Sequence, residues 1–257
     1  MRSLRLKKLL ALVTAFVVIL TCSSTLFALS NGWHKSGNLW YYVENGRYVQ
    51  GWKQIGGVWY FFDTEDNYML SDAWVSAGSG RSYYLTSSGK MATGWQKIGG
   101  NWYYFLSSGL SAKDWEKIDG EWYYFKSNGL MKTGWLDDAG ETYYLLGSGE
   151  MATGWENIQL YGSYSWFYFA SSGEMVKGWV ESGAYWYFMN ASGRMVTGWH
   201  WIKNGREVSA PYYDGVLYDE GGLAYYFYSD GRMARSTRIY MNGKWYEFAD
   251  DGHCINP

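Results

Sequence analysis

The side chains able to make or break bonds are few and scattered, whereas those able to recognise a ligand by shape recur throughout the chain. His34, His200 and His253 stand far apart, no His-Glu-x-x-His or Cys-x-x-Cys spacing occurs, and His253 neighbours Cys254 near the end of the sequence. The carboxylate pairs Asp137-Asp138 and Asp250-Asp251 fall at predicted turns, where solvated turn chemistry accounts for them. No enzymatic site, metal or cofactor is therefore expected. What recurs is ring surface: 17 Trp, 26 Tyr and 11 Phe make up 21% of the residues. Aromatic faces can bury one another as core, stack on sugars or attract a cation.

The stretch Asp114 to Thr133, DWEKIDGEWYYFKSNGLMKT, shows what must position those rings. Asp119-Gly120 suits a two-residue type I′ hairpin turn, in which both central residues take positive φ. With Ile118 opposite Glu121, Lys117 faces Trp122, Glu116 faces Tyr123 and Trp115 faces Tyr124. Side chains alternate along a strand, so one face carries Trp115, Lys117, Trp122 and Tyr124. The other carries Ile118, Tyr123 and Phe125, which are expected to be core. A lone hairpin is marginal in water, so a sequence that repeats one must stack the copies.

The repeat runs through the chain. The leading tryptophans fall at Trp33, Trp52, Trp74, Trp95, Trp115, Trp135, Trp155, Trp179 and Trp199, a period near twenty. Aromatic second strands such as WYYV from Trp40, WYYF from Trp102 and WYFM from Trp186 follow them, and Ser/Asn-Gly turns join the units. Residues 157–165 lengthen one hairpin, and residues 200–224 form a longer insertion. The unit from Arg238 lacks the Gly-Trp start and has Glu247 where others have Tyr or Phe, as expected of a C-terminal cap. The fold expected is all-β, a solenoid of stacked hairpin repeats of about 20 residues.

Residues 1–30 read as a signal peptide: Arg2, Arg5, Lys7 and Lys8 precede the apolar run Leu9 to Leu20, and Ala28-Leu29-Ser30 fits a cleavage site. Lipidation at Cys22 is disfavoured because Thr21 fits poorly before the cysteine. Residues 31–257 then form the repeat array, with Cys254 as its one cysteine and no intrachain disulfide. Loss of the leader takes away four basic residues and moves the net charge from −2 to −6. A mildly acidic secreted chain is a poor partner for nucleic acid.

Gly-Trp, about six residues to WYYF, then Ser/Asn-Gly, Met and Thr-Gly-Trp resembles the choline-binding repeat of Gram-positive surface proteins, over residues 32–253. The resemblance implies a left-handed solenoid in which two tryptophans of one unit and an aromatic of the next cage a choline head group of teichoic acid. Carried over by position, the cages are Trp33, Trp40 and Phe61; Trp52, Trp59 and Tyr84; Trp95, Trp102 and Tyr124; Trp115, Trp122 and Tyr144; and Trp179, Trp186 and Tyr226. Trp155 with Trp166 is a looser pair because of the insertion. Ser82 and Thr142 replace the second tryptophan, so the units of Trp74 and Trp135 are expected to be structural, and the interrupted Trp199 unit is doubtful.

A quaternary ammonium donates no hydrogen bond, so several ring faces are its natural receptor. The reading that follows is a secreted, non-catalytic protein held non-covalently at the cell wall or surface through choline on teichoic or lipoteichoic acid, not membrane-spanning once processed. The second reading is glucan or other carbohydrate binding; few fixed polar neighbours beside the paired tryptophans argue against it. The third is a structural, self-associating surface protein, in which exposed ring faces form a homodimer. Met91, Met131, Met151, Met175, Met195 and Met233 are expected to be gap-filling core rather than ligand contacts.

Overall fold

The computed structural model describes residues 29–208 and 221–257, with the backbone of residues 212–213 and 216–217. The expected leader over 1–30, Cys22 included, lies outside the described residues except for 29 and 30, as does much of the 200–224 insertion. Among the described residues every regular element is a β-strand, and no helix is long and apolar enough to cross a membrane. Two compact units divide the chain: one runs to Val75 and includes Tyr84–Ala92, and the other comprises Ser76–Tyr83 and Thr93–Pro257.

In the larger unit the hairpin Asp114–Ile118 with Glu121–Phe125 has the expected register, Trp115 opposite Tyr124, Lys117 opposite Trp122 and Ile118 opposite Glu121. Asp119 and Gly120 take φ of 52° and 99°, the left-handed pair that a type I′ turn requires. The chain then turns back. Lys126 N–H donates to Leu130 O at 2.8 Å and Lys132 N–H to Tyr124 O at 2.8 Å, so each hairpin ends in a short return segment laid against its own second strand.

Stacking is head to tail. Trp95 and Tyr104, from the hairpin Gly94–Ile98 with Asn101–Phe105, pack on Ile118, Tyr123 and Phe125 of the next. Trp135 and Tyr144 pack likewise on Ile158, Phe167 and Phe169. The Trp face of one hairpin thus meets the opposite face of its successor, and Phe125, at 0% exposure, is sealed between them. The smaller unit repeats the arrangement: Trp33 lies 5.0 Å from Tyr60 and 5.8 Å from Phe62, ring centre to ring centre.

Backbone hydrogen bonds fix the spacing of the stack. Met131 N–H donates to Trp102 O at 3.0 Å, Met151 to Trp122 O at 2.8 Å, Met195 to Trp166 O at 2.9 Å and Met233 to Trp186 O at 2.8 Å. The extra residues near 157–165 lengthen both strands of their hairpin equally, to Gly154–Leu160 and Ser163–Phe169, and leave the register intact, with Trp155 opposite Tyr168 and Asn157 opposite Trp166. Part of the 200–224 insertion, Arg206–Val208, adds an edge strand to Gly198–Lys203, which still pairs with Leu223–Phe227. In the last hairpin Arg238 stands in the first Trp position, opposite Glu247. Its guanidinium lies 6.0 Å from the centre of the Trp245 ring.

Phe125→Ala is expected to destabilise its region by about 3–5 kcal/mol. Contacts run mainly between neighbouring repeats, so amide exchange should accelerate across residues 94–145 and stay slow in Thr237–Phe248; uniform acceleration would contradict this nearest-neighbour account. Gly149 has φ of 104°, and a Cβ there would run into Met131 Sδ. Gly149→Ala should therefore cost about 1–2 kcal/mol in urea unfolding, and an unchanged midpoint would count against the strain.

Candidate functional site

Among the described residues, five clefts of about 250–440 Å³ open between stacked hairpins on the same plan. Trp115, Trp122, Tyr143, Met151 and Ser172 line one of them. The two tryptophans come from one hairpin, the tyrosine and methionine from the next unit, and the serine from the turn of the unit after that. Trp95, Trp102, Tyr123, Met131 and Ser148 form its counterpart. In the smaller unit the set is Trp33, Trp40, Tyr60, Met69 and Ser88.

The rings meet as walls of a corner. Trp95 and Trp102 lie 6.1 Å apart at 89°, and Trp95 and Tyr123 lie 4.9 Å apart at 68°. Trp33 makes 88° with Trp40 and 74° with Tyr60. The second tryptophans keep one side in solvent, Trp102 being 42% and Trp122 40% exposed. Trp115 is held from outside the cleft's rings, its Nε1–H donating to Asp138 Oδ2 at 2.9 Å. Lys117, opposite Trp122, lies 5.8 Å from that ring's centre, and Lys97 lies 5.7 Å from Trp102's. The indoles already serve as cation acceptors.

The tryptophan pairs stand where the sequence placed them, but the third rings do not. Phe61, Tyr124, Tyr144 and Tyr226 each lie against the leading tryptophan of their own hairpin, at 5.1 Å from Trp52, 5.3 Å from Trp115, 5.0 Å from Trp135 and 5.4 Å from Trp199. Tyr84 likewise lies 5.0 Å from Trp74. The closing ring is the preceding residue: Tyr60 for Trp33, Tyr123 for Trp95, Tyr143 for Trp115 and Tyr225 for Trp179. Side chains alternate by face, and only the opposite face of a hairpin meets its predecessor.

The Trp155 and Trp166 pair is as regular as the rest. The rings lie 6.4 Å apart at 83°, Tyr187 closes at 4.7 Å, and Met195 and Asp230 complete the lining. Trp52 and Trp59 keep the same relation, 6.4 Å at 82°. Trp135 is core, with Phe167 at 5.0 Å and Phe169 at 6.1 Å. Thr142, in the position of a second tryptophan, donates to Asp137 Oδ1 at 2.8 Å. Trp199 packs on Tyr246 at 5.0 Å and Phe248 at 5.8 Å.

The methionines fill gaps as expected, and several of them face the clefts too. Met131, Met151, Met195 and Met233 line clefts as well as filling space beside the turn glycines. Their position two residues beyond a turn glycine is the signal that would have found them. Polar groups also reach the clefts, from the turn two repeats on rather than from residues near the tryptophans in sequence. Arg235, Asp250 and Asp251 stand beside Trp179, Trp186, Tyr225 and Met233.

Four of the closing tyrosines are pushed up from their ordinary value. Burial first, then a 3.1 Å hydrogen bond to Glu150, pushes the Tyr123 hydroxyl up to about 12. Burial and then Glu174 raise Tyr143, burial and then Asp230 raise Tyr187, and burial and then Asp251 raise Tyr225. Glu150 is held below the usual carboxylate range chiefly by the Ser148 hydroxyl, and Glu174 by that of Ser172. These four walls, Tyr123, Tyr143, Tyr187 and Tyr225, thus each carry a carboxylate near the ring hydroxyl.

A family model described as the choline-binding repeat matches residues 49–93, 92–117, 112–154 and 152–198. No curated protein sequence matches. Among solved structures, the choline-binding domain of CbpL from Streptococcus pneumoniae is 31% identical with a TM-score of 0.54, over 81% of this chain and 98% of that one. The modular autolysin LytC from the same organism, solved with a synthetic peptidoglycan ligand, is 26% identical with a TM-score of 0.63, over 88% of this chain and 46% of that one. Choline binding protein F, also from Streptococcus pneumoniae, shares the fold at 23% identity and a TM-score of 0.50, over 88% of this chain and 98% of that one. The aromatic clefts and the matched repeats, which together span more than half of the sequence, agree: the chain belongs to the choline-binding repeat family.

Proposed function

We propose that the protein attaches to the cell wall by caging choline head groups of teichoic or lipoteichoic acid in these clefts, without an active site of its own. The observation that carries this reading is the corner geometry. Three rings at steep angles, 81° between Trp179 and Trp186 and 68° between Trp179 and Tyr225, enclose a compact, rounded group. Trimethylammonium has that shape, and a flat pyranose does not. Each ring contact with such a cation is worth about 0.5–2 kcal/mol. One cleft then grips at about millimolar to tens of micromolar. Several clefts on one choline-bearing polymer raise the avidity by about 10²–10⁴.

The non-catalytic reading rests on the scatter of the three histidines in the sequence, each of which makes a local contact. His34 Nε2 lies 2.6 Å from Ser30 O, and His200 Nδ1 lies 2.6 Å from Glu207 Oε1. Secretion rests on the N-terminal reading of residues 1–30. Carbohydrate recognition remains the second reading, favoured by the polar groups at the clefts, such as Ser88 and Asp230.

Calorimetric choline titration is expected to saturate, and Trp102→Ala should remove one site from the stoichiometry or weaken it by about 0.5–2 kcal/mol. The Trp102 ring is two-fifths exposed, so the variant should keep its fold. Binding of a glucan oligomer without any response to choline would move the assignment to carbohydrate. Silence to both, with a mass that rises with concentration, would move it to self-association.

A further inference from the structure

The clefts share their rings but differ in charge, and the difference lies at one place in each repeat: the residues on either side of the turn glycine two repeats downstream. At Gly149 and Gly173 these are Ser148 with Glu150 and Ser172 with Glu174; in each pair the serine lines the cleft and its hydroxyl donates to the glutamate. Glu150 Oε1 also accepts the Tyr123 hydroxyl at 3.1 Å. At Gly231 and Gly252 the order reverses. Asp230 and Asp251 line the clefts themselves, and the residue beyond the glycine engages the acid, with Arg232 Nε 2.8 Å from Asp230 and His253 Nδ1 2.5 Å from Asp251. At Gly89, beside the cleft of Trp33 and Trp40, Ser88 is followed by Lys90, and neither position holds a carboxylate.

We infer that the carboxylate flanking this glycine is the charge-selecting residue of four of these five described clefts. It makes them receptors for a cationic quaternary ammonium rather than for any group of that shape, and the cleft of Trp33 and Trp40 lacks the preference. The inference deepens the choline reading and rests on it. Rings attract a cation through their quadrupoles but also accept a neutral group of the same size by burial alone. A fixed negative charge at the cleft adds a Coulombic attraction that only the cation feels. The effect is greatest at Glu150 and Glu174, whose turns carry no basic residue, and smaller at Asp230, where Arg232 pairs with the acid, and at Asp251, which His253 engages and beside which Arg235 pairs with Asp250.

Because a different methionine lines each cleft, one spectrum resolves them. The experiment titrates the whole protein, labelled with ¹³C-methyl methionine, with choline and with 3,3-dimethylbutan-1-ol, the neutral molecule in which carbon replaces the ammonium nitrogen. Glu150→Gln is expected to raise the choline Kd read at Met131 by about two- to fivefold, with no change for the alcohol and none for either ligand at Met151. Glu174→Gln should give the mirror result at Met151. In the unsubstituted protein, Met69 should report the smallest preference for choline over the alcohol. Equal weakening of both ligands, or no change in either variant, overturns the inference while leaving choline binding in place. Failure of choline to move any methionine methyl in the unsubstituted protein overturns the choline reading itself, and this inference with it.

Discussion

Each hairpin has two unlike aromatic faces, and within each compact unit the tryptophan face of one stacks on the tyrosine-phenylalanine face of the next. A hairpin of this size cannot hide its rings by itself. Only unlike faces allow the contact to repeat without closing on itself. Phe62, Phe125 and Phe169 vanish from the surface in these contacts, while the second tryptophans, at the margin of the contact, stay partly in solvent. The clefts are what such stacking leaves open at its edge.

This explains why core and binding surface are so intermixed. Tyr123 is 9% exposed and packs with Ile118 and Phe125, yet it also forms the wall of a cleft. Met131 fills the space beside Gly149, lines the same cleft, and through its amide ties one repeat to the one before. Substitutions that alter the ligand wall therefore touch the packing that holds the array together. The outer tryptophans, such as Trp102, are the exception.

What could be read in the sequence was what is local. The Asp119-Gly120 turn, the register of Trp115 with Tyr124 and of Lys117 with Trp122, and the tryptophan pairs all follow from alternation and turn chemistry within twenty residues. The closing ring could not be read that way, because the contact between repeats decides which face a successor presents. The resemblance put Tyr124 where Tyr123 stands, one residue and one face away. The Trp155 and Trp166 pair looked displaced by its insertion, yet two extra residues on each strand cancel across the hairpin. The polar groups of each cleft were hidden for a different reason: Ser148 lies 46 residues beyond Trp102 in the chain, too far for any local pattern to join them.

A crystal structure of the protein with choline would place the ligand among the rings. Trimethylammonium density is predicted between Trp115, Trp122 and Tyr143, and at the equivalent place beside Tyr60, Tyr123, Tyr187 and Tyr225. Choline found against Tyr124 or Tyr144 instead, or empty clefts at saturating choline, would contradict the account.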